Sequence, residues 1–335
     1  MCVTIVGMPP RMSCAFNTSL DSHEHAAVAE RLGYHRAWFY DSPALYADVW
    51  VQLCRAAERT ERIGLGPAVL VPTLRHPMTN AAAIATLAAI AGPERVAVAV
   101  GTGFTGRLTL GQRPIRWSAV TEYVRVVKAL LDGEDAEWEG ATVRMLHRAG
   151  FGPERPLRVP FLFGVQGPKG VAAARELADG VFTAGSPVPG FGWSAVLALG
   201  TVLDDGEDPG SARVLAAAGH AACLMLHGAV ELGRADLMPG GERWAAAYDD
   251  VPPAERHLVL HDGHMAEVSE RDRPFVTGEV LVRGGFALDG AGWREKLAGL
   301  AAAGATEIVY QPAGPDVPRE LEAFASAAQA YSRRS

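Results

Sequence analysis

Short apolar runs alternate with longer, Ala-rich amphipathic stretches along nearly the whole chain, and no other feature restricts the fold as much. Strands that are apolar throughout, rather than at every second position, belong to parallel sheets covered on both faces. The candidate strands are 12–19, 35–41, 63–70, 94–103, 159–166, 180–185, 213–224 and 306–312. Helical spacing follows Asp21, an expected N-cap, and stops at Gly33, an expected C-cap. Further helices are expected over 44–60, from Pro77 to about Gly92, and over 117–133, 168–179, 291–304 and 316–332. Residues 136–146 read as a hairpin turning at Gly140. The stretch 225–277 is irregular and rich in Pro, Gly and His, as expected of a lid inserted before the last strand. Eight strand-plus-helix units predict one (β/α)8 TIM barrel over residues 1–335.

Composition narrows the function. The formal net charge is −7 and no dense Lys/Arg cluster occurs, so no nucleic-acid partner is expected. No apolar run of about 18 residues stands free of charged, Pro or Gly breaks, so no membrane partner is expected. Cys2, Cys14, Cys54 and Cys223 are widely spaced and form no C-x-x-C, which fits reduced thiols in the cytoplasm. The start, MCVTIVGMPPRM, lacks the charged-then-apolar order of a signal peptide. There is no G-x-S-x-G elbow and no Walker loop, so hydrolase and kinase chemistries lack support.

In such a barrel the site forms just beyond the strands' C-terminal ends. GTGFTG (101–106) is literally G-x-G-x-x-G, but it runs into RLTLGQRPIRW, a stretch that does not read as helical. A dinucleotide loop would need a helix there and an acid about 20 residues on. A glycine-rich strand end that lets backbone approach a ligand fits better. GVQGPKG (164–170) opens a helix at Pro168, where free amides, the helix dipole and Lys169 favour an anion; it is also a plausible plain turn. Asp41, ahead of Ser42 and Pro43, is either a turn starter or an acceptor for a bound heterocycle. His76 lies beside Arg75 in the loop after the third strand. His257 and His261 are spaced i,i+4, with His264 following, but there is no H-E-x-x-H and no fourth ligand is evident, so no metal is expected. A histidine that exchanges protons in the pocket suits the segment better.

Taken together, GLGPAVLVPTLRHPMTNAAAIATL, RVAVAVGTG, GVQGPKG..ARELADGVFTAG and the closing WREKLAGLAAAGATEIVYQPAG resemble the luciferase-like flavin oxidoreductases. The resemblance covers about residues 12–330 and is strongest to the F420-dependent branch typified by methylenetetrahydromethanopterin reductase. It implies a barrel, commonly a homodimer, that moves hydride with coenzyme F420, a deazaflavin with a phosphate and an acidic tail. By position it places Asp41 near the deazaflavin ring. It also places Ala68 and Val69 at a bulge with a non-proline cis peptide, and Thr102 and Gly103 in the loop after the fourth strand. Gln166, Gly167, Pro168 and Lys169 fall on the phosphate loop. Phe16, Ser42, His76 and Phe104 are expected against a small-molecule or peptide substrate, and Asp41, His261 or His264 in proton transfer. Phe104 stands where some relatives have an acid, and Val71 where the pterin reductases often have Asn, so the pocket is expected to be more apolar. The competing readings are an FMN-dependent monooxygenase in the same barrel and a non-catalytic ligand-binding barrel.

Overall fold

The computed structural model describes residues 9–238 and 240–332. Cys2 and the start of the chain lie outside the described residues. Eight parallel strands form the barrel: β1 (Arg11–Phe16), β2 (Arg36–Phe39), β3 (Gly64–Pro67), β4 (Val98–Gly101), β5 (Phe161–Gly164), β6 (Gly180–Ala184), β7 (Ser194–Leu199) and β8 (Glu307–Gln311). In the sheet they run β3, β2, β1, β8, β7, β6, β5, β4, so every strand lies beside its neighbour in sequence. Parallel bridges Leu65 to Val96 and Leu70 to Val100 close the seam between β3 and β4. The main helices are α1 (Ser22–Arg31), α2 (Val49–Arg59), α3 (Pro77–Ala91), α4 (Trp117–Asp132), α5 (Pro168–Leu177), α6 (Ala212–Glu231), α7 (Gly290–Ala302) and α8 (Val317–Ser332).

One expected strand is a helix. Residues 213–224 lie in α6, and the seventh strand is SAVLAL, Ser194–Leu199. A continuous apolar run does not by itself separate a buried strand from a buried helix. Here five alanines favour the helix, and Ser211 caps it by accepting the Val214 N–H. The connection from β6 to β7 also carries no helix, which breaks the strand-helix rhythm at that point. Ala212–Val230 is long and apolar enough by composition to cross a membrane, although Arg213, Gly219 and Gly228 interrupt it. In this structure just over half of it is buried, and with Trp244, Tyr248, Leu260 and Leu281 it forms a second apolar cluster. Asp21 makes no capping bond at α1; the Ser22 hydroxyl instead accepts the Ser19 N–H at 2.8 Å. The hairpin is present, with strands Ala136–Trp138 and Ala141–Val143.

Two layers of core hold the barrel. Between sheet and helices lie side chains such as Phe39, Leu65, Val98, Phe163 and Phe324. Inside the cylinder are Trp38, Ala97, Ala99, Leu162, Phe182 and Val309. Glu307, wholly buried, accepts Trp38 Nε1–H at 2.9 Å and Trp193 Nε1–H at 2.6 Å.

Arg213, at the start of α6, ties that helix to α8 by pairing with Glu207 and, at 2.8 Å, with Glu320. The hydrogen bonds from Arg213 draw the Glu207 carboxyl from its ordinary 4.5 down to about 2. A carboxylate whose folded pKa is depressed stabilises the fold above its unfolded pKa and loses that contribution as pH falls. Stability is therefore expected to fall between pH 4.5 and about 2 through this group. In thermal unfolding followed across that window, Glu207→Gln should give the shallower pH dependence. Equal slopes for the two proteins would remove the assignment.

Candidate active site

A cavity of about 770 Å³ opens over the C-terminal ends of the strands. Pockets of that size hold ligands as large as drugs and cofactors. Its walls come from the segments after β2 (Asp41, Ser42), β3 (Ala68, Val69, Val71), β4 (Thr102 to Gly106) and β5 (Gln166), and from Leu224 and Met225 on α6.

The floor is built around one side chain. The Ala68–Val69 peptide is cis, and Val69 lies over two glycines of the neighbouring strands. A Cβ on Gly101 would meet Val69 Cγ2 at 2.9 Å, and one on Gly164 would meet Cγ1 at 2.7 Å. Gly103 has φ +82°, and a Cβ there would sit 2.5 Å from Val71. The GTGFTG motif therefore serves close packing of backbone against neighbours. It also runs into a single helical turn, Phe104–Leu108, where no helix was expected. A closed barrel is not the open sheet that a dinucleotide loop serves.

Asp41 is buried in the wall. Its carboxylate accepts from Arg75 Nη1 at 2.8 and 2.7 Å, while Arg75 Nη2 donates to Asp48 at 3.0 Å. Burial raises the Asp41 pKa, and the Arg75 guanidinium opposes that rise. Arg75 is positioned in turn by Tyr123, whose hydroxyl donates to the Arg75 carbonyl at 2.9 Å and accepts from Asn80 at 2.7 Å. The sequence pointed to Asp41 and left Arg75 without a role. A cation in the adjacent strand-end loop was the signal available.

The residues expected at the site fall into three groups. Asp41, Ser42, Ala68, Val69, Thr102, Gly103, Phe104 and Gln166 line the cavity. Gly167, Pro168 and Lys169 are exposed in the turn that opens α5, next to Gln166. A Cβ on Gly167 would meet nothing within 4 Å, and none of the described hydrogen bonds uses the amides of Gly167 or Lys169. The remaining four lie elsewhere. Phe16 ends β1 in the outer core, edge-on to Phe39 at 5.6 Å, because alternation along the strand turns it away from the cylinder. His76 is exposed and caps α3 by accepting the Met78 N–H at 3.1 Å. His261 and His264 are buried behind the wall, where desolvation lowers both pKa values, His261 to about 4. The His264 ring is linked to the cavity through Thr105, 3.3 Å from its Nε2, and its carbonyl accepts from the cavity residue Tyr46 at 2.7 Å.

Other cavity residues were not anticipated. Tyr40 donates to Gln311 at 3.1 Å, and Gln311 donates to the Met265 carbonyl at 2.9 Å, fixing Met265 in the wall. Lys296 also lines the cavity; its ammonium donates to the carbonyls of Gly285 and Leu199, and burial pulls its pKa down to about 8.

These features define an α/β barrel with a cofactor-sized pocket over its C-terminal mouth. Residues 18–223 match the luciferase-like monooxygenase family, and the chain belongs to that family. An F420-dependent glucose-6-phosphate dehydrogenase of Microbacterium testaceum is 30% identical over 199 residues, 55% of this chain and 57% of that protein. A 5,10-methylenetetrahydromethanopterin reductase of Archaeoglobus fulgidus is 30% identical over 162 residues, 47% of each chain. The matches thus span about half the length of these curated relatives. The coenzyme F420-dependent tetrahydromethanopterin reductase of Methanopyrus kandleri superposes with a TM-score of 0.68 at 20% identity, over 96% of this chain and 98% of that one. At that identity the likeness is one of fold.

Proposed function

We propose that this chain is an F420-dependent reductase or dehydrogenase acting on an electrophilic C=C, C=N or C=O of a small molecule or a modified peptide. The observation that carries the reading is the cavity itself: it joins an apolar, glycine-floored chamber to an open turn at a helix N-terminus. The residues fit the group on one physical ground. The turn at 166–169 has room where side chains would otherwise stand and unused amides, which suits a phosphate-bearing tail. When bound, the deazaflavin supplies the hydride acceptor or donor. The protein's part is to hold it and shape its surroundings. Gln166, Gly167 and Lys169 would take the anionic tail, and Ala68 and Val69 would back the ring. Phe104, Val71 and Met225 would keep water from the substrate. The Asp41 carboxyl would hold or release the proton that accompanies hydride transfer. Val51 and Ile90, exposed on α2 and α3, support the expected homodimer.

The test is titration of the full chain with F420 and with FMN, followed by ligand fluorescence. Saturable F420 binding that weakens with salt is expected, with FMN binding weaker, because screening acts on the anionic tail. Tighter FMN binding would move the reading to a flavin monooxygenase, and binding of neither would end it.

A further inference from the structure

Four of the ten histidines gather in the apolar cluster around α6, outside the cavity lining. His220 and His227 lie seven residues apart, on one face of α6. His261 and His264 come from the segment that follows the helix Arg256–Leu260. His227 Nδ1 is 3.2 Å from His264 Nδ1, and His261 Nδ1 is 3.3 Å from that same atom. One nitrogen from each of the three rings lies within 4.8 Å of the others.

We propose that His227, His261 and His264 bind one divalent transition-metal ion of the zinc type through their Nδ1 atoms, pinning the segment 257–265 to α6. An ion about 2.0–2.1 Å from each of several nitrogens in tetrahedral array holds them about 3.3 Å apart. The two measured edges match that spacing without movement. Imidazole is the ligand type that zinc and its neighbours take. The far side of His264 is arranged as a metal-bound imidazole requires: Nε2 faces Thr105 Oγ1 at 3.3 Å, which fixes the ring and leaves Nδ1 free to ligate.

The surroundings point the same way. Both nitrogens of His220 and Nε2 of His227 are buried without a hydrogen-bond partner. A buried polar atom without a partner has lost its water and gained nothing in return, so four imidazoles in an apolar cluster call for some other interaction to hold them there. The buried Asp272 carboxylate acts on His227 and provides counter-charge for a cation. Its oxygens are taken by Trp244, Tyr248 and Ser269, so it is not a ligand. A fourth position is left to water or another small ligand. His257, which the spacing had joined with His261, is not in the group. The partner is His227, 34 residues before His261 in the chain and so invisible to a spacing rule.

The inference does not depend on the cofactor, and its test reads metal alone. The full chain, with any affinity tag removed, is stripped with a chelator and titrated with Zn²⁺ and Co²⁺. One tightly bound ion per chain is expected, with a rise in melting temperature and the visible bands of four-coordinate cobalt. H227Q and H261Q should each weaken uptake at least about tenfold. Should a variant fail to fold, the wild-type cobalt spectrum and melting shift decide. A colourless cobalt titration with no melting shift would overturn the site. So would uptake by both folded variants equal to that of the wild type, since surface histidines would then account for it.

Discussion

Placing a methyl group on Gly66 is expected to cost this protein about 3 kcal/mol or more. The added carbon would stand 1.9 Å from the Ala97 carbonyl oxygen and 3.0 Å from the Trp38 ring. Ala97 is the residue by which the β4 segment meets β3, its amide donating to Leu65 at 3.2 Å. Backbone on one side and a wholly buried indole on the other leave no flexible side chain to yield. Relief comes only by parting the seam that closes the barrel. Gly167→Ala is the matched control: φ there is −173° and nothing lies within 4 Å of the new carbon. A change within about 0.5 kcal/mol is expected for it. Urea unfolding of the two variants measures the contrast. Equal midpoints would show that the β3–β4 contact does not limit stability.

Asp41→Asn should lower turnover by about 10²–10⁴-fold, the range in which positioned proton transfer contributes. The amide keeps the size of the carboxyl and removes the proton it carries. F420 affinity should change little, because the proposed function has the tail held across the cavity at 166–169. A role confined to holding Arg75 predicts something else: lost stability, with the pH profile intact. The profile separates the two. If Asp41 is the acid in the reducing direction, as proposed, turnover in the wild type should fall as pH rises through its pKa. Burial has moved that pKa above the ordinary carboxylate value. The Asn variant should lose this limb. An unchanged limb would transfer the proton to another group, Lys296, Tyr40 and Tyr46 being titratable neighbours in the same cavity.

The strands whose burial is two-sided were readable because a parallel barrel writes each of them as a short apolar run. Seven of the eight expected runs overlap observed strands. The exception, 213–224, shows the limit of that signal. Apolar character reports burial, and the same Ala-rich run serves a buried helix as well as a strand. The Ser211 cap and the length of the run past residue 224 were the local marks of a helix.

What the chain by itself determined is local: the strand-end glycines, Asp41 just past β2, the Gly-Pro-Lys start of α5. These follow from backbone requirements that act within a few residues. Only the tertiary structure decided which side chains meet. Arg75 reaches Asp41 across 34 residues, Lys296 enters the cavity from α7, and His227 joins His264 across 37. It also turned Phe16 into the outer core and left His76 as a helix cap. Such meetings depend on how the helices lie against the cylinder, and that is set by packing summed over the whole core rather than by any spacing along the chain.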